Sequence, residues 1–394
     1  MYSRMIIPPA DKSFFLFGPR GTGKSSWVRK TFPKAVYLDL LEAELYLPLS
    51  ANPQRLSEYI PKGLKDWVVL DEVQKIPELL SEVHRLIEKE RLKFILTGSS
   101  ARKLKRKSVD LLAGRALTRY LYPLTTAELK KDFNLDHSLA FGHLPCAYVE
   151  SNPKAYLHSY IKTYLQEEIQ QEGLTRNLGA FSRFLETASF SQASVLNVSA
   201  VARESSIERK VIEQYFSILE DLLLASFLPI FSKRAKRRLL NHPKFYLFDV
   251  GVYQTLRPKG PLDRPEEIQG HALETLFYQE LKALNHYLDL GYELFYWKTP
   301  AGLEVDFVLY GEKGLLAFEI KREGKVRSES LRGLKAFLED YPQAKAYFVY
   351  GGDRRMRDDE IEILPLLHCL QNLPRILQPR AEQGSPSLAF PSIN

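Results

Sequence analysis

Cysteine is scarce in this sequence: its 394 residues include two cysteines, Cys146 and Cys369. Two cysteines cannot build a disulfide framework, and they cannot supply the ligands of a structural zinc site. The class of small disulfide-stabilised secreted domains is therefore excluded. We expect the protein to work in a reducing compartment.

Long apolar runs are also missing. The longest, Leu222 to Phe231, is interrupted by Ser226 and Pro229 and is far too short to span a bilayer. The N-terminus carries Lys12 and two prolines where a secretory signal peptide would need an apolar segment. These absences predict a soluble, cytoplasmic protein without a membrane partner.

Acidic residues are missing from two short basic clusters, 102–107 and 233–238, each of which holds five lysines or arginines. The formal net charge of the chain is +7, and removing these ten positive charges would leave −3. The basic excess is therefore local. Such patches permit an anionic partner, including DNA or RNA, but do not establish one.

The strongest motif lies near the N-terminus. Four large apolar residues, 14–17, predict a buried strand that leads into a Gly-x-x-x-x-Gly-Lys-Ser pattern, the phosphate-binding P-loop. Its glycines allow positive φ and a close approach of backbone N–H groups to phosphate, at the positive end of the following helix. The alternative is a chance match in a glycine-rich turn. We expect Lys24 to contact the β- and γ-phosphates and Ser25 to ligate Mg²⁺. The expected ATP-binding residues are Gly18, Pro19, Arg20, Gly21, Thr22, Gly23, Lys24, Ser25 and Ser26.

A second motif follows at Trp67 to Glu72, an apolar run that ends in two acids. This is typical of a Walker B strand, which is buried on both faces and opens at its carboxyl end into the ligand crevice. We expect Asp71 to support Mg²⁺ and Glu72 to act as the catalytic base on the attacking water. The alternative is a strand that ends in a solvated acidic turn.

Two further segments complete the N-terminal pattern. The first, Lys93 to Ser100, predicts another buried strand that ends in small polar residues, and Ala113-Gly114-Arg115 follows the first basic cluster. The order of these motifs resembles the prokaryotic AAA-superfamily ATPases related to the archaeal ATPases, whose C-terminal half is a domain of unknown function. The resemblance covers the chain from about Met5 to about Leu370. It implies ATP hydrolysis with Mg²⁺ on a three-layer α/β P-loop domain.

The same resemblance implies two more site residues. Ser99, with Thr97 as the second choice, would sense the γ-phosphate or the water at the end of the strand beside the P-loop strand. Arg115 would act as an arginine finger on the γ-phosphate of a neighbouring subunit, which requires a homo-oligomer. A surface arginine without that role is an equal alternative.

The middle of the chain has the outline of a winged helix. A short helical segment, Asn197 to Glu204, a polar turn and a longer amphipathic helix are followed by two apolar strands around the second basic cluster. If this region binds DNA, basic residues of the longer helix and of the second basic cluster would contact the phosphates. The affinity would then be salt-sensitive and largely independent of sequence. The alternative is that the region packs on the ATPase domain and touches no nucleic acid. The expected nucleic-acid contacts are Arg209, Lys210, Arg234, Lys236, Arg237 and Arg238.

The C-terminal third predicts a smaller α/β domain. Glu274 on a helix, Asp306 on a strand, and Glu319-Ile320-Lys321 on the next strand are similar to the signature of the PD-(D/E)XK nucleases. That resemblance implies a restriction-endonuclease-like fold and a Mg²⁺ site lined by the two acids and the lysine. The tail beyond Asn372 is rich in proline and polar residues, which predicts disorder.

The hairpin between the last two strands also predicts a register. If Gly311 faces Gly314 across a tight turn, Asp306 lies opposite Glu319, and Val305, Phe307, Phe318 and Ile320 share the other face as core. Facing carboxylates repel each other, so the pairing favours a shared divalent ion, with Asp306 and Glu319 as ligands. The alternative is a salt-bridge ladder in which Lys321 neutralises both acids.

These observations predict three domains: an AAA-type P-loop domain over 1–150, a helical and winged-helix region over 151–257, and a PD-(D/E)XK-like domain over 266–372. The leading function is an ATPase that couples nucleotide state to nucleic-acid binding or cleavage. The competing class is a nucleotide-dependent switch or scaffold that binds a protein partner. A small-molecule kinase is a weaker third option.

Overall fold

The computed structural model describes residues 2–99, 112, 114–165, 177–232, 243–261 and 263–378. Within these residues the strands are β1 (Ser13–Phe17), β2 (Val36–Asp39), β3 (Trp67–Asp71), β4 (Lys93–Gly98), β5 (Ala116–Tyr120), β6 (Ser194–Val195), β7 (Ala225–Leu228), β8 (Lys244–Leu247), β9 (Glu293–Lys298), β10 (Glu304–Gly311), β11 (Gly314–Ile320), β12 (Lys345–Tyr350), β13 (Met356–Asp358) and β14 (Ile361–Pro365). The α-helices are α1 (Lys24–Thr31), α2 (Ala43–Ala51), α3 (Leu79–Glu90), α4 (Thr126–Leu129), α5 (Leu135–Phe141), α6 (Pro145–Val149), α7 (Pro153–Ser159), α8 (Leu178–Ser189), α9 (Val198–Ser205), α10 (Arg209–Asp221), α11 (Val250–Leu256), α12 (Pro265–Tyr287), α13 (Arg332–Asp340) and α14 (Leu366–Ile376).

The N-terminal sheet is parallel, in the order β2-β3-β4-β1-β5. All five residues of β1 are buried, and alternate residues pack on opposite faces: Phe15 and Phe17 in one hydrophobic cluster, Phe14 and Leu16 in another. This two-sided burial explains why the strand is a continuous apolar run. The predicted neighbour relation is confirmed, because β4 lies beside the P-loop strand β1.

One element of this region was not predicted. Helix α2 contains Pro48, which has no N–H to donate, and only Leu49 of its nine residues is buried. After α2, the Asn52 side chain accepts from the Gln54 N–H and caps a 3₁₀-helix over Pro53–Tyr59.

The middle region contains the two predicted helices, α9 and α10, joined at Ser206 in the left-handed conformation with φ 56°. The predicted strands are present as β7 and β8, which pair antiparallel. The basic residues 233–238 lie outside the described residues. The two helices and the paired strands are consistent with the winged-helix outline.

The C-terminal sheet is mixed, in the order β13-β14-β12-β11-β10-β9. The predicted hairpin register is confirmed, since Phe307 pairs with Phe318 and Gly311 pairs with Gly314. The predicted alternation of faces is wrong at Val305. A register shift between Val305 and Val308 in the pairing of β10 with β9 breaks the two-residue period, and Val305 packs in a different hydrophobic cluster from Phe307.

The predicted end of this domain is also corrected. Helix α14 continues to Ile376, four residues beyond Asn372, although Pro374 lies inside it. Leu373 and Leu377 are fully buried, and their burial anchors the last turn against the core. Residues from 379 onward, which hold the rest of the predicted tail, lie outside the described residues.

The middle and C-terminal regions share one hydrophobic core. The largest cluster runs from Phe216 and Phe245 of the middle region to Phe277 of α12 and Phe318 of β11. Helix α12 is therefore central to both regions. In the part of the chain that the structure describes, no helix combines the length and apolar character required to cross a membrane.

Candidate functional site

The P-loop connects β1 to α1, and different structural constraints explain why glycine stands at two of its positions. A Cβ on Gly18 would lie 2.2 Å from the Leu121 carbonyl oxygen, so close backbone packing excludes any side chain there. Gly23 caps α1 with φ 90°, and a Cβ built on it meets no atom within 4 Å. Open space therefore lies directly before the positive end of α1. This arrangement fits a phosphate group.

Lys24 is buried and folded back onto the loop. Its ammonium donates to the carbonyl oxygens of Gly18 at 2.7 Å and Pro19 at 3.2 Å. The loop is also fixed from outside, because the Tyr160 hydroxyl donates to the Arg20 carbonyl oxygen at 2.9 Å. The flexible stem of Lys24 allows its ammonium to turn from these carbonyls toward a phosphate.

The predicted ATP-binding residues Thr22, Ser25 and Ser26 differ in their contacts and burial. The Thr22 hydroxyl donates to the Pro19 carbonyl oxygen at 2.9 Å, which closes the turn, and the Thr22 carbonyl accepts from Arg4 at 2.7 Å. Ser25 is half-buried in the first turn of α1, and Ser26 is exposed. The backbone of the loop, rather than these side chains, forms the cradle.

Asp71 is the last residue of β3, and its carboxylate accepts hydrogen bonds from two hydroxyl groups. Tyr37 of β2 donates to Oδ2 of Asp71, and Thr97 of β4 donates to Oδ1. Burial, the hydrogen bond to Asp71 and its negative charge raise the pKa of Tyr37, while a hydrogen bond with Ser25 opposes them. The Tyr37 hydroxyl thus joins the two residues predicted to hold Mg²⁺. Sequence reasoning missed Tyr37, which lies inside the neighbouring parallel strand β2, two residues before its last residue Asp39.

The predicted catalytic base, Glu72, follows β3 in the left-handed conformation with φ 62°. Its carboxylate accepts from the side-chain amide of Gln74, and the same amide nitrogen lies 3.3 Å from the Ser99 hydroxyl. The structure thus connects Glu72 to Ser99 through a residue that sequence reasoning missed. Thr97, the second choice for the sensor, contacts both acids, because its hydroxyl also accepts from the Glu72 N–H at 3.3 Å.

Arg115 lies away from this constellation. Its guanidinium pairs with Glu88 of α3, and both side chains are more than a third exposed. The hydrogen bond to Arg115 and its charge lower the pKa of Glu88. The single chain therefore places Arg115 on the surface, where the structure gives no test of a role in a neighbouring subunit.

The predicted C-terminal site residues come together at the end of the β10–β11 hairpin. The Lys321 ammonium lies 2.6 Å from Oε1 of Glu319 and 3.9 Å from Oδ2 of Asp306. Both carboxylates are buried, and Oδ2 of Asp306 also accepts from the Ile320 N–H at 2.8 Å. Glu274 reaches the same place from α12. We call Glu274, Glu304, Asp306 and Glu319 the acid cluster.

A lysine from the middle region enters this acid cluster and was not predicted. Lys244 of β8 has a 4% exposed side chain, and its ammonium lies 2.5 Å from Oε1 of Glu304, 3.5 Å from Oε2 of Glu274 and 3.8 Å from Oδ1 of Asp306. Burial opposes the charged form of Lys244, but the three carboxylates outweigh it and raise the pKa of this lysine. One lysine therefore links a middle-region strand to three C-terminal carboxylates.

The burial and the charges of the acid cluster bear on whether it could hold the predicted Mg²⁺. Burial and then the charge of Asp306 raise the pKa of Glu319 to about 8 and that of Glu274 to about 7. Among the described residues, Oε2 of Glu319 has no hydrogen-bond partner, which fits an additional cation. However, the described residues hold no group of three acidic, histidine or cysteine ligands arranged around one metal position. Two lysines already supply positive charge there.

The predicted nucleic-acid residues are only partly described. Arg209 and Lys210 are exposed at the start of α10, but Arg209 pairs with Glu213 at 2.9 Å and donates to the Ser199 hydroxyl at 3.2 Å. Arg234, Lys236, Arg237 and Arg238 lie outside the described residues. The structure therefore gives no contact that supports a nucleic-acid role for this region.

Three segments of the chain match known protein families. Residues 10–130 match the family described as AAA domain, residues 132–263 match a domain of unknown function (DUF8612), and residues 269–369 match another domain of unknown function (DUF4143). Two similar proteins are the uncharacterized proteins Rv2008c of Mycobacterium tuberculosis and Mb2031c of Mycobacterium bovis. Each is 24% identical over 351 residues, which cover 86% of this chain and 76% of the relative.

Two solved structures show weak similarity. A structure of the Aeropyrum pernix ORC1 protein in complex with DNA is 13% identical with a TM-score of 0.24, and covers 63% of this chain and 87% of its own. The protein VC1899 of Vibrio cholerae is 13% identical with a TM-score of 0.22, and covers 87% and 97%. Both scores are too low to carry an argument about this chain. The N-terminal part of the chain is similar to AAA domains, and its parallel sheet is consistent with a P-loop ATPase-like fold.

Proposed function

We propose that the protein binds Mg²⁺-ATP at the P-loop and hydrolyses it. The observation that carries the proposal is the constellation at the carboxyl ends of β1, β3 and β4: an open helix N-terminus, Asp71 linked to Ser25 through Tyr37, and Glu72 linked to Ser99. The backbone of 18–26 and Lys24 would bind the triphosphate, and Ser25 and Asp71 would hold Mg²⁺. When bound, Mg²⁺ neutralises charge on the phosphate oxygens. Glu72 would orient the attacking water and accept its proton.

The experiment that tests this proposal is equilibrium ATP binding to Lys24→Ala. Loss of the ammonium removes the main side-chain cation of the cradle, so we expect a large loss of affinity with no loss of folded structure. Lys30→Ala is the matched control, because Lys30 is an exposed lysine in the last turn of the same helix. Equal ATP affinity in the wild type and in Lys24→Ala would contradict the assignment.

We further propose that nucleotide state is coupled to the C-terminal domain through α12. Gly18 and Pro19 of the P-loop line a cavity with Gln279 and Lys282 of α12. Arg4 donates to the Thr22 carbonyl at 2.7 Å and to the Tyr287 hydroxyl at 3.0 Å, which ties the loop to the end of the helix. Glu274 of the acid cluster lies on the same helix, about 12 Å along its axis from Lys282. A shift of the loop is thereby connected to a shift of Glu274.

For the C-terminal domain we propose a restriction-endonuclease-like fold that acts on nucleic acid. The observation in its favour is the convergence of Glu274, Asp306, Glu319 and Lys321, with a buried Glu319 oxygen that has no hydrogen-bond partner in the described part of the chain. Asp306 and Glu319 would hold a divalent ion, which would supply Lewis-acid chemistry at a phosphodiester. Lys321 would stabilise developing negative charge.

The alternative is a non-catalytic C-terminal domain that binds a protein partner, and the charge of Lys244 inside the acid cluster favours it. The two are separated by Mn²⁺ titration and nuclease assays in a Lys24→Ala background, beside Asp306→Asn. Metal binding and cleavage that both depend on Asp306 support the nuclease. If neither occurs, the domain is an interaction module.

A further inference from the structure

A groove of about 830 Å³ has Arg322, the residue after Lys321, in its lining and holds none of the residues predicted to contact nucleic acid. The lining comes from three parts of the chain: helices α5 and α7, residues within 254–261 and 263–269, and Arg322 of the C-terminal domain.

The charged side chains of this groove are predominantly basic. Four cations, Lys154, Arg257, Lys259 and Arg322, face two carboxylates, Asp136 and Asp263, so the lining has two net positive charges with His158 neutral. Asp263 is already engaged, because it accepts from Arg257 at 2.7 Å and from the Gly260 N–H at 2.6 Å.

The remaining cations are not neutralised by the described residues. Lys154, Lys259 and Arg322 are exposed, and each lacks an ion pair within 4.0 Å in the described part of the chain. Partial burial and then the positive charges of Lys154 and Arg257 lower the pKa of Lys259. Repulsion between these cations is unfavourable in the free protein, and an anion bound between them would offset it.

Arg322 connects the groove to the acid cluster. It is the next residue after Lys321, whose ammonium contacts Glu319 and Asp306. Burial lowers the pKa of His271 on α12, Glu267 opposes this, and the charges of Lys244 of the cluster region and Arg257 of the groove lower it further, so both cations act on this one residue. An anionic chain bound to Arg322 would therefore lie one residue along the chain from the lysine of the acid cluster.

The dimensions and the lining select the kind of anion. A volume of about 830 Å³ is that of a small-ligand pocket, which suits a short segment of a single strand. Phe141 is partly exposed in the wall, which offers one aromatic surface among the cations. Cationic grooves with aromatic surfaces are typical of sites for single-stranded nucleic acid.

We propose that this groove binds the sugar-phosphate backbone of a single-stranded nucleic-acid segment and directs it toward the acid cluster. The inference rests on the proposed nucleic-acid function of the C-terminal domain, and it moves the contact from the helix-turn-helix to the boundary between the middle and C-terminal regions. Lys154, Lys259 and Arg322 are the phosphate contacts.

The test is the salt dependence of binding of a short fluorescein-labelled oligothymidylate, followed by fluorescence anisotropy in EDTA without ATP. Under these conditions neither hydrolysis nor metal-dependent cleavage contributes, so failure here is distinguishable from failure of the proposed activities. The combined variant Lys154→Ser, Lys259→Ser, Arg322→Ser should weaken binding at low salt. It should also flatten the slope of log K against log salt by about 2, since each lost single-strand phosphate contact removes about 0.7.

Two matched variants make the result specific. Lys154→Arg, Lys259→Arg, Arg322→Lys keeps the charges and should keep the wild-type slope. Arg209→Ser, Lys210→Ser removes the two described helix-turn-helix cations and should also keep it. All of these side chains are exposed, and thermal melting checks that each variant is folded. If the triple serine variant does not fold, Arg322→Ser alone should flatten the slope by about 0.7.

Three outcomes would overturn the proposal. The first is an unchanged slope in the serine variants of the groove, and the second is a loss of slope in Arg209→Ser, Lys210→Ser instead. The third is competition by inorganic phosphate or a mononucleotide as effective as competition by unlabelled oligonucleotide, which would make the groove a site for a free anion. An uncharged peptide nucleic acid of the same sequence should not compete.

Discussion

The P-loop site and the acid cluster both hold buried carboxylates at the ends of neighbouring strands, but they balance the negative charge differently. Asp71 is held by the neutral hydroxyls of Tyr37 and Thr97, whereas Asp306 lies near the ammonium groups of Lys244 and Lys321. A hydroxyl gives way to a cation without loss of a charge pair. An ammonium has already neutralised the carboxylate, so a second cation must compete with it. A divalent ion would therefore displace hydroxyls at Asp71, whereas at Asp306 it would have to compete with Lys244 and Lys321.

The largest effect is expected from Lys244→Met, which removes the charge and keeps most of the stem. Removing one partner of a buried charge pair costs about 3–5 kcal/mol, because the carboxylates are left uncompensated. Urea unfolding of the metal-free protein should show this loss, and Mn²⁺ should restore more stability to the variant than to the wild type.

The control for Lys244 lies in the same acid cluster. Lys298 pairs with Glu304 at 2.8 Å, but its side chain is 40% exposed, so Lys298→Met should cost less than about 1 kcal/mol. An equal response of both variants to Mn²⁺, or no response in either, would show that the buried Lys244 does not differ from the exposed Lys298 in competing with a cation.

The second prediction concerns Glu280, which lies on α12 between the two sites. Burial raises its pKa to about 8, although it accepts hydrogen bonds from the N–H of Thr126 at 2.6 Å and its hydroxyl at 2.9 Å. A raised carboxyl pKa favours the protonated folded state, so this contribution to stability is complete below the unfolded pKa near 4.5 and is lost as pH rises through 8.

The expected slope from this one group is at most about 1.4 kcal/mol per pH unit between those values. Glu280→Gln should remove it, and the difference between the two unfolding curves gives the joint contribution of Glu280 and His143, whose Nδ1 lies 3.7 Å from Oε1 of Glu280 and whose pKa burial lowers to about 4. Parallel curves for the wild type and the variant would show that Glu280 titrates normally.

The third prediction tests whether the Tyr37 hydroxyl gives way to a cation at Asp71. Tyr37→Phe removes one donor to Asp71 and leaves Thr97 in place, so the nucleotide-free protein should lose about 0.5–1.5 kcal/mol. Binding of Mg²⁺-ATP should be unchanged or tighter, because the hydroxyl no longer has to leave Asp71. A clear loss of nucleotide affinity would show that Tyr37 itself contacts the ligand.

The smallest effect is expected at Arg115, whose exposed ion pair with Glu88 is worth less than about 1 kcal/mol. Arg115→Ala should leave the unfolding free energy nearly unchanged. The same variant decides the hypothesis of an arginine finger. Turnover per chain that rises with protein concentration in the wild type, but not in the variant, would establish it. Concentration-independent turnover would leave Arg115 as a surface charge.

The elements that sequence reasoning predicted depend on local patterns. The P-loop, the strand that ends in Asp71, and the hairpin register at Gly311 and Gly314 are each written within about a dozen residues. Helix α2 and the edge strand β13 lack such patterns. A proline inside α2 and the three-residue length of β13 hide them.

The site residues that were missed act across the fold. Tyr37, Gln74 and Lys244 are single residues whose roles appear only when neighbouring strands or another domain place their partners. The bulge between Val305 and Val308 was missed for a related reason, because strict alternation is the default expectation for a strand and nothing in these letters marks a shift. Long-range electrostatics therefore had to be read from the structure.

The most direct test of the account is phosphate release by Glu72→Gln beside its ATP affinity. Glutamine keeps the size and hydrogen-bonding capacity of the side chain but cannot accept the proton of the attacking water. The account predicts unchanged ATP binding and turnover that is lower by about 10²–10⁴-fold. Wild-type turnover in Glu72→Gln would contradict it.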